Sequence, residues 1–229
     1  MQELKGKRVF FVGDSIAAQD GKPYDYTNIS YNHDKLGEMC KAYPTLLKEK
    51  LSVEIVKNIA VGGHGIEDQK KIILHEDLSK ADITIVAVGV NDFSRGTRIG
   101  KLPSTDANGY EDTFIGHYCE LLDYVYKQNP YMKVVLMTPM HKDTRHREGD
   151  VPKHDISSVN ESGLKLKDYV DAVKKVGEFY ACPVADMYAQ SGLNRFNIPL
   201  FTFEGTHPTN EGYEYVIKVL IHEMEKLFC

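Results

Sequence analysis

Short blocks of contiguous apolar residues alternate along the chain with longer stretches whose apolar residues recur every three or four positions. Five blocks stand out, at residues 8–12, 53–56, 83–88, 134–137 and, more weakly, 183–185. They are short, aliphatic and mostly β-branched, the pattern of parallel strands covered on both faces. Residues 43–51 (with Pro44 near the first turn), 66–78, 113–127, 164–180 and 209–228 carry the helical spacing. This alternation predicts an α/β fold, a parallel sheet between two helical layers. No repeat, low-complexity segment or linker interrupts the 229 residues, so the chain reads as a single domain, 1–229.

Composition narrows the partners. A hydrophobic content of 42% is ordinary for a chain that buries a real core, and the net charge of -5 gives no reason to expect nucleic acid or an anionic membrane. No apolar run approaches the roughly 20 residues that span a bilayer. The N-terminal MQELKGKRVFFVGDS lacks a small-residue cleavage site and reads better as a first strand than as a signal peptide, so a cytoplasmic protein is expected. Cys40, Cys119, Cys182 and Cys229 are scattered without a CxxC pair, which fits a reduced protein with buried or terminal thiols. His141, His146 and His154 share one polar stretch without the spacing of a metal site. Neither a metal nor a cofactor is expected.

In such a sheet, ligands sit at the carboxyl ends of the strands, near the point where strand order reverses. The residues just after each strand are therefore the informative ones. They are Gly13-Asp14-Ser15 after the first, Asn58 to Gly63 after the second and Gly89-Val90-Asn91-Asp92 after the third. A long connection after the fifth ends in Glu204-Gly205-Thr206-His207-Pro208. This is an inventory for acyl transfer. A serine alcohol is a weak nucleophile until a base takes its proton, and His207 is the natural base for Ser15. A carboxylate should hold the second ring nitrogen, and Glu204 lies three residues upstream. The oxyanion needs fixed donors, which the Ser15 amide, the Gly63 amide and the Asn91 side chain can supply. Plainer readings compete at each position. Ser15 can be a helix N-cap, Gly62 to Gly65 a dinucleotide loop, Asn91-Asp92 a turn, and His207 a helix-entry residue. Asp14 reads as structural.

Taken together, GDS near the N-terminus, N-x-x-x-x-G as Asn58 to Gly63, GVND as Gly89 to Asp92 and EGTHP as Glu204 to Pro208 resemble the four blocks of the SGNH hydrolases, the GDSL-like esterase and lipase superfamily. The resemblance runs from the first strand to the last helix. It implies a flavodoxin-like three-layer α/β/α sandwich with strand order 2-1-3-4-5. It implies Ser15 as nucleophile, His207 as base, an acidic partner at position 204, and Gly63 and Asn91 completing the oxyanion hole. Two positions depart from the pattern. Ile16 stands where Leu is usual, and Glu204 where Asp is usual. Glu is one methylene longer, so either Glu204 or a backbone carbonyl orients His207, giving a triad or a Ser-His dyad.

Two polar loops, residues 20–39 and 140–162, follow strands at the same edge, as does 93–110. Loops this long in a compact domain are usually functional or disordered. Tyr24, Tyr26 and Tyr31 suit stacking on a sugar ring, or else cover the neighbouring helix. The expectation is a serine esterase removing a short acyl group, acetyl first, from a carbohydrate or other polar substrate. A lipase or lysophospholipase of longer chains, an acyltransferase and a non-catalytic carbohydrate-binding domain are the alternatives.

Overall fold

The computed structural model describes residues 3–104 and 109–228. Its sheet holds β1 (Arg8–Gly13), β2 (Glu54–Asn58), β3 (Ile83–Ala87), β4 (Lys133–Met137) and β5 (Val184–Ala185), all parallel, in the order β2-β1-β3-β4-β5. The helices are α1 (Ser15–Ala18), α2 (Tyr43–Leu51), α3 (Ile66–Ile73), α4 (Val90–Ser94), α5 (Phe114–Gln128), α6 (Leu166–Phe179), α7 (Met187–Gln190), α8 (Ile198–Phe201) and α9 (Asn210–Glu225). This is the parallel sheet between two helical layers that the sequence pattern predicts, with the flavodoxin-like strand order that the resemblance implies.

The contiguous apolar run of β1 follows from its central place. Successive side chains of a strand point to opposite faces. Val9 and Phe11 therefore pack with Leu46 and Leu47 of α2 and Val216 and Leu220 of α9. Phe10 and Val12 pack on the other face with Ile73 of α3, Leu121 and Leu122 of α5 and Val173 of α6. Each layer of helices thus covers one face. Strand order reverses around β1, which lies between β2 and β3, and Gly13 at its carboxyl end pairs with Ala87 at the end of β3. The crevice for a ligand opens there.

Three differences from the sequence pattern have physical causes. The second strand runs Glu54–Asn58 and is not covered on both faces, because it sits at the sheet edge; Glu54, Lys57 and Asn58 are exposed. The helix expected over 66–78 ends at Ile73, where His75 and Glu76 turn their N–H groups to the carbonyls of Ile72 and Ile73, three residues back. Leu78 beyond that turn is still buried, which kept the apolar period alive. The helices α1, α4, α7 and α8 span four or five residues each, too few for a period to register.

Leu121 is fully buried within α5, so Leu121→Ala should cost about 2–5 kcal/mol in chemical denaturation. Tyr131 is 89% exposed, and Tyr131→Ala should stay within about 0.5 kcal/mol.

Candidate active site

Ser15 is the first residue of α1, directly after β1. Asp14 caps this helix, its Oδ1 accepting the Ile16 N–H at 3.0 Å. The N-cap of the plain reading is thus Asp14, and Ser15 stands in the first turn, where backbone N–H groups have no partner within the helix. Asn58, at the end of β2, donates from Nδ2 to the Ala17 carbonyl at 3.0 Å and fastens the far side of the turn.

Across the crevice, residues 202–208 close a tight loop. Thr202 and Pro208 form an isolated antiparallel bridge, and the Phe203 N–H donates to the His207 carbonyl at 2.9 Å. The loop folds Glu204 back under His207. Glu204 Oε1 lies 2.6 Å from His207 Nδ1, and His207 Nε2 lies 2.7 Å from Ser15 Oγ. The extra methylene of Glu204 is absorbed within this loop. Gly205 makes the loop possible. Its φ is +90°, and a Cβ there would lie 1.6 Å from the Asp143 carbonyl oxygen.

The second and third sequence blocks meet beside Ser15. A Cβ on Gly62 would lie 3.8 Å from the Ser15 Cβ, and Gly63 follows with φ +78°. Asn91, in the first turn of α4, donates one hydrogen of Nδ2 to the His64 carbonyl at 2.9 Å. The other amide hydrogen makes no protein hydrogen bond among the described residues. Arg95, which the sequence analysis passed over, ties the same loop down, donating to the Gly63 carbonyl at 2.5 Å and to Asp68 at 2.6 Å. Its position one turn beyond Asn91, at the C-cap of α4, was the available signal.

The electrostatics are those of a partly dry site. Burial would raise the Glu204 pKa, but the charge and hydrogen bond of His207 and the charge of Arg147 outweigh it and hold the carboxyl below its ordinary value. Burial wins at Asp14, raised to about 6 despite the Ile16 N–H and His207. It wins at Asp92 too, raised to about 7, although both its oxygens face the Ile66 N–H at 3.2 Å. Lys142 is pushed down to about 8 by burial and by the charge of Arg147.

The tyrosines divide. Tyr24 is 2% exposed, packed on Phe203 and Tyr26, with its hydroxyl donating to Asn210 Oδ1 at 2.9 Å. It is a core residue with no face to offer a sugar, a correction of the stacking role expected for it. Tyr26 is half-buried and stacked on the His207 ring, centroids 4.5 Å apart and planes at 27°. It therefore packs on the imidazole. Tyr31 lies further out, edge-on to His146. His141 stacks on Tyr188 and His154 meets Phe93, so the three loop histidines face different partners. Ile29, in the same polar loop 20–39, is buried in the core. The expected rim segment 93–110 is described except at 105–108, which lie outside the described residues, as does Cys229. Cys40, Cys119 and Cys182 are free and buried. Among the described residues, Glu67, Asp112 and His117 could together hold a metal ion. Glu67 is paired with Lys71 at 2.5 Å and His117 Nε2 with Asp112 at 3.0 Å, so the group is also satisfied as ion pairs. No helix among the described residues is long and apolar enough to cross a membrane.

A parallel sheet of order β2-β1-β3-β4-β5 with Ser15 and His207 at its carboxyl edge defines an α/β protein of the hydrolase type. Residues 11–215 match the GDSL-like Lipase/Acylhydrolase family, and the chain belongs to that family. One solved structure, 29% identical, aligns over 97% of this chain and 98% of its own with a TM-score of 0.76. A protein of Chitinophaga pinensis described as a possible lipase aligns at 21% identity, over 96% of this chain and 98% of its own, with a TM-score of 0.74. An acetyl xylan esterase shares the fold at 24% identity, over 94% and 98% of the two chains, with a TM-score of 0.62. No curated protein matches the chain significantly.

Two outcomes follow for the site. Gly205→Ala forces a side chain into the Asp143 backbone, so the melting temperature should fall and the labelling of Ser15 by a fluorophosphonate should be lost with it. The folded protein keeps a proton on Asp92 up to about pH 7, whereas an ordinary aspartate releases it near 3.8. The folded state then holds more protons, so this group's contribution to stability is full below that lower value and lost as pH rises through about 7. Denaturation of Asp92→Asn and the wild type at about pH 5 and pH 8 should show a smaller decline in the variant.

Proposed function

We propose that the protein is a serine esterase that hydrolyses short acyl esters, acetyl above all, of a carbohydrate or similarly polar alcohol through an acyl-Ser15 intermediate. The observation that carries this reading is the relay from Ser15 Oγ to His207 Nε2 at 2.7 Å and from His207 Nδ1 to Glu204 Oε1 at 2.6 Å. Ser15 Oγ attacks the ester carbonyl carbon while His207 Nε2 takes its proton. The oxyanion receives hydrogen bonds from the Ser15 and Gly63 amides and the Asn91 side chain, each such donor supplying roughly 3 kcal/mol in the transition state. The intermediate collapses, and the leaving alkoxide takes the proton from His207. Water then repeats the cycle on the acyl-enzyme, His207 again passing the proton and Ser15 leaving. Glu204 keeps its charge, orients the ring and stabilises the imidazolium. It stands in this reading as the third member of a triad, and its short bond to His207 favours that over a dyad.

The acyl side is small. A cavity of about 30 Å³ is lined by Met140 and by Asp14, Ile16, Val90 and Thr206, the neighbours in sequence of Ser15, Asn91 and His207. It has room for about a water molecule or a methyl group. An octanoyl chain needs a continuous apolar groove, worth about 0.8 kcal/mol per methylene. Two structural relatives, named as an acetyl xylan esterase and an acetyl-xylooligosaccharide esterase, support a polar acetylated substrate. A longer-chain hydrolase is the second reading, favoured by the exposed Ile156 and Phe196 on the wall of a neighbouring cleft. Buried free thiols support a reducing, cytoplasmic compartment.

A sulfonyl fluoride should add once to the wild type by intact-mass spectrometry and not to Ser15→Ala. His207→Ala should lower kcat by about 10²–10⁴-fold, the range of a lost general base, and Glu204→Gln by less. Values of kcat/KM for p-nitrophenyl acetate, butyrate and octanoate should fall in that order; a rise toward octanoate would install the longer-chain reading instead.

A further inference from the structure

The polar loop after β4 and residues 194–198 wall a cleft of about 670 Å³, the size range of small-ligand sites. His141, Lys142, Arg145, Asp155, Arg195 and Phe196 are on its lining. Lys142 and His141 also line the small cavity beside Asp14 and Thr206, so the cleft adjoins that cavity, whose lining holds the sequence neighbours of Ser15 and His207.

Its charges are unevenly spent. Asp143 is gripped by Arg145 through two hydrogen bonds of 2.8 and 2.6 Å. Asp155 accepts from the hydroxyls of Ser157 and Ser158 at 2.7 and 3.0 Å and from the Ser157 N–H at 2.9 Å. Both carboxylates are therefore occupied. Of the cations, Arg145 is spent on Asp143, but Lys142 and Arg195 are not so paired. Lys142 Nζ reaches only a neutral acceptor, Ser94 Oγ at 2.9 Å, and pairs with no carboxylate among the described residues. Arg195 lies over the Phe196 ring at 4.6 Å and likewise has no carboxylate partner among the described residues. Arg147 adds positive charge near Lys142. A chain of net charge -5 thus keeps on the wall of a concave site two cations without a directly paired carboxylate among the described residues, Lys142 being offset only by the charges of Glu204 and Asp14. Taking an ammonium out of water without a counter-charge is unfavourable, and a bound anion relieves it.

We propose that this cleft receives the alcohol part of the ester and that Lys142 and Arg195 select an alcohol bearing an anionic group, a carboxylate, sulfate or phosphate on a sugar. The proposal rests on the esterase reading for the reaction and adds the substrate class. Lys142 stands nearer the reacting ester, and Arg195 with Phe196 forms the outer wall, so the anion sits on the sugar that carries the acyl group or on the next one.

The test separates binding from chemistry by using Ser15→Ala, which cannot turn over. An acetylated glucuronic acid trisaccharide and its neutral methyl ester are titrated by calorimetry at low ionic strength. The acid should bind about tenfold more tightly than the methyl ester, the gain of one charge-assisted hydrogen bond. That preference should shrink in Arg195→Gln and in Lys142→Gln, and with added salt. Arg195 is exposed, so its variant keeps the test intact even where Lys142→Gln fails to fold. Replacing the carboxylate by a sulfate or a phosphate ester on the same sugar ranks the anions. Equal binding of the acid and its methyl ester, or a preference unchanged in Arg195→Gln, overturns the proposal. Failure of the esterase reading shows elsewhere, as absent turnover of p-nitrophenyl acetate by the wild type.

Discussion

Every side chain of β1 from Val9 to Val12 is withdrawn from water, alternately on the two faces of the sheet. That burial requires a helical layer on each face and leaves the chain only one way out, at the carboxyl edge. Gly13 ends the strand beside Ala87, where the strand order reverses, and the first polar side chains follow at once as the buried Asp14 and the half-buried Ser15. The same edge receives Gly62 and Gly63 after β2, Asn91 after β3 and Lys142 after β4. One hydrophobic constraint thus gathers side chains that are up to 192 residues apart, the separation of Ser15 and His207.

The polar residues gathered there are only partly compensated by the protein. Glu204 Oε2, Tyr26 Oη, Thr206 Oγ1 and Arg147 Nε are buried without hydrogen-bond partners among the described residues. Buried polar atoms are ordinarily satisfied, and uncommitted ones gather at functional sites. Glu204 holds its charge because His207 and Arg147 face it, whereas at Asp14 and Asp92 burial outweighs the nearby charges of His207 and Arg95 and favours the neutral acid. Carboxyls within one small region therefore take different charge states by environment alone. The stacked Tyr26 ring and the Glu204 bond together leave the His207 imidazole little freedom to turn away from Ser15.

The central strands and the long helices were legible because their residues repeat with the period of the element. The four blocks at the strand ends were legible because each is short and local, and Gly, Asn, Ser and His there carry chemistry that core residues lack. Tyr24 and Tyr26 show the limit. They are two residues apart in one polar loop and identical in type, yet one is sealed in the core and the other lies on the imidazole. Which face a loop residue presents depends on what packs over it, here Phe203 and His207 from the far end of the chain.

By itself the sequence determined the class of fold and the edge at which Ser15, Asn91, Glu204 and His207 collect, since these follow from local pattern and from the place of each block after a strand. The tertiary structure alone decided that Glu204 reaches the ring, through a loop that Gly205 lets close against Asp143. It alone decided that Arg95 fastens the glycine turn and that residues 194–198 supply the second wall of the cleft. Those are contacts between segments far apart in the chain, set by packing that no local period encodes.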